Sequence, residues 1–118
     1  MNTKLDFKTK ANSLNGGFGG KSGEILVGNK AFEFYNSRNP EDYIQIPWDE
    51  IDKVRAQIYF KDKYIRGFFI DTKRAGSFNF VVTEAGKTLK IMRNYLGNDK
   101  IVRNKPILTL RGLFKKKN

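Results

Sequence analysis

Histidine and cysteine are both absent from this chain, and the two absences remove more chemistry than any residue present supplies. Without a thiol there is no disulfide and no thiolate nucleophile. Without either side chain there is no general base naturally near neutrality and no nitrogen or sulfur ligand for zinc. A phosphohistidine or phosphocysteine relay is excluded on the same ground. Acidic residues are also sparse, 12 against 23 Lys and Arg, and no isolated carboxylate pair sits in the apolar setting that raises a pKa for acid–base work. The chain therefore reads as non-enzymatic, with no cofactor and no metal. No apolar run approaches the ~20 residues of a membrane-spanning helix. Met1–Asp6 has neither the apolar stretch nor the cleavage pattern of a signal peptide, so the expected compartment is the cytoplasm.

What the chain has in quantity is positive charge and aromatic surface. The net charge is +11 and the pI near 10.0, which favours anionic partners: nucleic acid, an anionic membrane face or an acidic protein patch. Lysines also guard the edge strands of small β domains, which accounts for part of the excess. Ten Phe, five Tyr and one Trp in 118 residues supply one core, at a length that makes a single domain.

The hydrophobic period is two for most of the length. Leu5, Phe7, Thr9 and Ala11 alternate with charged residues, predicting a first strand to Leu14. A glycine-rich loop, Asn15–Gly23, follows. Glu24–Val27 and Lys30–Tyr35 form a hairpin about Gly28-Asn29. After the polar loop 36–42 come Tyr43–Ile46, a proline-anchored corner at Pro47-Trp48, and a strand in which Val54, Ala56, Ile58 and Phe60 share one face. Trp48 is expected to pack with Ile51 and Val54. Tyr64–Asp71 and Ser77–Val82 complete seven strands. The period then changes to 3.6: Thr83 is a candidate cap for a helix Glu84–Leu96 with Ala85, Leu89 and Met92 inward and Lys87, Lys90, Arg93 and Asn94 outward, stopped by Gly97. Such a helix covers the open end of a β-barrel. Residues 98–118 carry seven cations against Asp99 alone. The expected division is a domain over residues 1–105 and a basic–apolar extension over 106–118.

Several motifs bear on binding. Gly20-Lys21-Ser22 fails as a P-loop, because the first glycine would fall on Asn15 and the segment enters a strand, and Gly17-Phe18-Gly19 fails as a dinucleotide fingerprint at Ser22. Phe18, flanked by glycines, either folds back on the barrel or contacts a protein or bilayer. Lys61, Lys63, Arg66, Lys73 and Arg74 lie in or beside the turns flanking the sixth strand, where they could converge into one basic patch. With Tyr59 nearby, that patch suits single-stranded nucleic acid as well as it suits a solvated sheet. In the tail, Ile107, Leu110 and Phe114 share a helical face next to Arg111, Lys115, Lys116 and Lys117, a pattern for an anionic leaflet, a docked strand or a frayed end.

Seven strands and one amphipathic helix resemble the pleckstrin-homology superfold and its GRAM-like bacterial relatives: a mainly β, seven-stranded barrel capped by a C-terminal helix. At residue level, Gly23–Asn36, Tyr43–Ile51 and Lys87-Thr88-Leu89 are similar to a small uncharacterised family from Gram-positive bacteria, encoded beside mannose-class phosphotransferase sugar transporters and described as regulators or accessory proteins of that operon. The resemblance covers residues 3–105 and brings no catalytic motif. It implies a fold and a neighbourhood, and a regulator acting by contact with a transporter subunit at the inner membrane face, with a nucleic-acid-binding regulator of the operon as the alternative. Where eukaryotic pleckstrin-homology domains often have a basic first loop, this chain has only Lys21. The candidate contact surface comprises Phe18 and Lys21, the cations from Lys61 to Arg74, and those of the tail.

Overall fold

The computed structural model describes residues 1–14, 20–59 and 64–103. Eight strands and one helix follow in the order β1 (Leu5–Ser13), β2 (Lys21–Gly28), β3 (Ala31–Asn36), β4 (Tyr43–Pro47), β5 (Ile51–Tyr59), β6 (Tyr64–Thr72), β7 (Ser77–Val82), α1 (Ala85–Leu96) and β8 (Ile101–Arg103), with a 3₁₀ turn at Trp48–Glu50. All strands belong to one sheet of order β4-β3-β2-β1-β7-β6-β5-β8. The mainly β, helix-capped architecture is as the sequence predicts, with two differences. Among the described residues the strands number eight rather than seven, and β4 and β8 are the edges of a sheet that does not close into a barrel.

Ring packing shows how strongly that sheet curls. Four inter-strand steps separate β3 from β6, roughly 19 Å if the sheet were flat. Yet Phe32 of β3 and Phe68 of β6 have ring centroids 6.0 Å apart, and Phe80 of β7 lies 5.1 Å from Phe32 and 5.6 Å from Phe34. The inner faces of all the early strands therefore meet in one core, closed from below by Leu89 and Met92 of α1.

Glycine permits two of the closest strand contacts. A Cβ on Gly23 would lie 2.1 Å from the Tyr35 carbonyl oxygen, and one on Gly67 would lie 1.9 Å from that of Phe80. Gly23 thus belongs to β2, which starts at Lys21, and not to the preceding loop as glycine content alone suggests.

At the helix start, Glu84 holds the cap position and no side chain caps the first turn; the Thr88 hydroxyl donates to the Glu84 carbonyl instead. Thr83 is not the cap; its N–H donates to the Lys10 carbonyl and so extends the pairing of β7 with β1 beyond Val82. At the other end Gly97 takes φ +83° and its N–H bonds the Arg93 carbonyl, the expected glycine stop.

At the corner Trp48 packs against the core that contains Ile51 and Val54, and it has a further partner beyond those expected from sequence. Ile51 and Val54 are fully buried, and the half-buried Trp48 stacks on Tyr95, with centroids 4.8 Å apart and planes at 2°. Its Nε1–H donates to the Gly28 carbonyl at 3.0 Å, because an indole N–H leaving water takes an acceptor. The Tyr95 hydroxyl donates to Asp6, the extra residue of a β-bulge between Leu5 and Phe7. The last turn of α1 is thus fixed to both β1 and the corner. Tyr95→Ala is expected to uncover one indole face and shift Trp48 emission to longer wavelength, while Tyr95→Phe keeps the stack and the emission. Unchanged emission in Tyr95→Ala would remove the stack as the source of Trp48 shielding.

Candidate binding groove

One surface concavity lies between α1 and the β5–β8 end of the sheet. It has a volume of about 490 Å³ and is open to solvent. Its floor is apolar: Ala56 and Ile58 from β5, Ile65 from β6, Leu89 from α1 and Ile101 from β8. Its rim is basic: Lys90 and Arg93 from α1 and Arg103 from β8, with no carboxylate among the described lining residues.

Helical spacing and a bulge together make this arrangement. Ala85, Leu89 and Met92 recur on one face and go into the core, which leaves Lys87, Lys90 and Arg93, three apart, on the exposed face beside it. On the sheet side, Gln57 pairs with Gly67 but Ile58 pairs with Ile65, so Arg66 is an extra residue on β6. The bulge brings Ile65 into the groove and leaves Arg66 exposed. Gly86 lines the helix side and leaves room there: a Cβ on it would meet only the Ile65 Cδ1, at 3.7 Å.

Of the contact residues proposed from sequence, Phe18, Lys61, Lys63, Arg111, Lys115, Lys116 and Lys117 lie outside the described residues. The rest are dispersed. Arg66 sits near the start of β6 and Lys73 and Arg74 follow its end, roughly 20 Å apart at strand rise, so β6 separates them. Lys21 is paired with Asp42 at 2.8 Å, and Arg74 with Glu50. Lys90, Arg93 and Arg103, which the structure does bring together, were assigned by sequence to a solvated helix face and a tail. The signal available was the spacing of three among Lys87, Lys90 and Arg93.

Ion pairing also sets the acid behaviour of the fold. On the outer face of β5 and β6, Arg55 donates to Asp71 through Nε at 2.8 Å and Nη2 at 2.9 Å, with its guanidinium 4.5 Å from the Phe69 ring centroid. Arg55 holds the Asp71 carboxyl below the usual carboxylate range, as Lys21 does for Asp42 and Arg74 for Glu50. A carboxyl lowered in the folded state contributes stability that is complete above its unfolded pKa, near 4, and lost as pH falls through the lower folded value. Asp71→Asn should therefore cost about 1 kcal/mol at pH 7 and reduce the further loss of stability on acidification below about pH 4. Urea denaturation at the two pH values checks this; an unchanged acid dependence would dismiss the pair as its source.

Among the described residues no helix is long and apolar enough to cross a membrane, and no three carboxylates form a metal-ligand group. The buried Glu33 is held instead in a polar network: Asn2 Nδ2 donates to it at 3.0 Å and Gln45 Nε2 at 2.9 Å.

A curled sheet capped by a C-terminal helix defines a pleckstrin-homology-like fold. The chain belongs to the DUF956 family, a domain of unknown function, which matches residues 1–115. No curated protein matches it in sequence. Among solved structures it is similar to the C-terminal domain of an unknown protein from Leishmania infantum, at TM-score 0.67 and 10% identity over 80% of this chain and 85% of that one. It is also similar to the hSac2 domain of the human phosphoinositide phosphatase Sac2, at TM-score 0.56 and 13% identity over 87% and 77%. The linker-DH/PH domains of p115-RhoGEF match at TM-score 0.54 and 10% identity, over 80% of this chain and 29% of that one. At such identities the likeness is one of fold.

Proposed function

We propose that this protein is a non-catalytic binding module that regulates or assists a mannose-class phosphotransferase sugar transporter, by contact with a transporter subunit at the inner membrane face. The observation that carries the contact reading is the basic-rimmed apolar groove between α1 and β5. A few convergent polar groups around an apolar floor are the usual form of a binding site, and a chain without His or Cys brings little catalytic chemistry to it. The transporter enters through the resemblance of Gly23–Asn36, Tyr43–Ile51 and Lys87–Leu89 to proteins encoded beside such transporters. A partner that passes phosphate through histidine or cysteine would be controlled here by contact, not by acting as a carrier.

Charge supports a second reading. A net charge of +11 and the exposed Tyr59 and Tyr64, which end β5 and begin β6, suit a nucleic-acid-binding regulator of the operon. Capture of partners on the tagged full chain, with and without nuclease, separates the two. The contact reading expects transporter subunits retained after nuclease treatment and only weak, steeply salt-dependent binding to generic DNA. Loss of all retained partners on nuclease treatment would establish the nucleic-acid reading in its place.

A further inference from the structure

We propose that the groove between α1 and β5 takes an extended acidic–apolar segment of a protein partner, which adds as a strand to the β5 edge. This rests on the reading of the chain as a contact module and specifies the chemistry of what it contacts.

The β5 edge already accepts an extended segment. Strand β8 pairs with it in parallel, Val54 with Ile101 through Ala56 with Arg103. The Val54 N–H donates to the Lys100 carbonyl at 2.8 Å, and Lys100 Nζ donates to the Ile51 carbonyl at 3.0 Å. Among the described residues this ladder covers Val54–Ala56, whereas β5 continues to Tyr59. Backbone groups directed to one edge recur every second residue, so Ile58 is the next position after Val54 and Ala56, and Ile58 is in the groove floor. An added strand gains main-chain hydrogen bonds from the edge and specificity from its alternate side chains.

The lining states which side chains. Apolar residues of the incoming segment would cover Ile58, Ile65 and Leu89, and carboxylates would meet Lys90, Arg93 and Arg103. Every ionisable side chain among the described lining residues is a cation, so an acidic segment is favoured and a basic one repelled. Residues 104–118 of the chain itself carry five cations and no acid, a charge of the same sign as the rim and so not complementary to it. A flat bilayer does not enter a concavity. Nucleic acid is disfavoured because no aromatic side chain among the described residues lines the groove to stack a base.

The test uses the full chain and two short synthetic peptides, one alternating leucine with glutamate and the other alternating leucine with lysine, followed by amide shifts in NMR. The expected result is salt-sensitive binding of the acidic peptide, with shifts concentrated at Ala56–Tyr59 and Gly86–Arg93, and no binding of the basic one. The double variant Lys90→Glu, Arg93→Glu should weaken binding about tenfold or more. Gly86→Leu should block the groove sterically while the melting temperature holds, because its Cβ meets no backbone. Shifts confined to other faces, equal binding of both peptides, or full binding by both variants would overturn the proposal, as would displacement of the acidic peptide by generic DNA or by phosphatidylserine vesicles through these same amides. If transporter subunits are not captured but the acidic peptide shifts the groove amides, the transporter reading falls and this inference stands. If subunits are captured while the peptide leaves the groove unmoved, this inference falls alone.

Discussion

Gly67→Ala is expected to abolish the native fold. The added methyl would lie 1.9 Å from the Phe80 carbonyl oxygen and 2.9 Å from both the Phe80 carbonyl carbon and the Val81 Cα. All three atoms are backbone, in the strand that pairs directly with Gly67, so no side-chain rotation relieves the clash. The β6–β7 ladder must open, and β6 is also the strand that holds β5 along its whole length. A loss of about 4 kcal/mol or more is the scale of such a backbone conflict, against a total stability of about 5–15 kcal/mol for a domain. Thermal melting by circular dichroism should find no cooperative transition, or one shifted far down. A melting temperature close to that of the parent protein would mean that β6 and β7 are not in this register.

Phe80→Ala should be the most costly of the simple core truncations. Phe80 is fully buried and sits among Phe32, Phe34 and Phe68, with centroid separations of 5.1, 5.6 and 6.2 Å. Those three rings come from strands on both halves of the curled sheet, so the hole left by the truncation has rigid walls and cannot collapse. Phe→Ala at such a site costs about 3–5 kcal/mol, whereas Lys73→Ala on the exposed β6–β7 turn should stay within about 0.5 kcal/mol. Urea denaturation measures both. A Phe80→Ala loss as small as that of Lys73→Ala would show that the rings do not pack as one cluster.

Legibility from sequence followed the length of the pattern. Ser77–Val82 is read to the residue, because Phe78, Phe80 and Val82 alternate with polar or half-buried positions over the full strand. The burial of Leu89 and Met92 is equally legible, since the 3.6 period runs for three turns. By contrast, β8 has three residues among those described, too few for any period to register, and its strand character comes from pairing with β5 after the helix turns the chain back. The bulge at Arg66 is invisible for a related reason: it is defined by the partner strand, through Ile58 pairing with Ile65. The groove combines both difficulties. Ala56, Ile65, Lys90 and Arg103 are distant in sequence and meet only because the sheet curls and α1 crosses it, while Arg66 is kept apart from Lys73 and Arg74 by the length of β6.

The proposed mode of action of this chain is contact with a protein through the α1–β5 groove. Photo-crosslinking in cells tests it most directly, with a photoreactive side chain placed at Lys90 on the rim or, as control, at Arg38 in the loop between β3 and β4, which does not line the groove. The expected result is a nuclease-resistant protein adduct from position 90, absent from position 38 and abolished when Gly86→Leu is combined with it. Nucleic-acid adducts alone, or equal protein adducts from both positions, would contradict it.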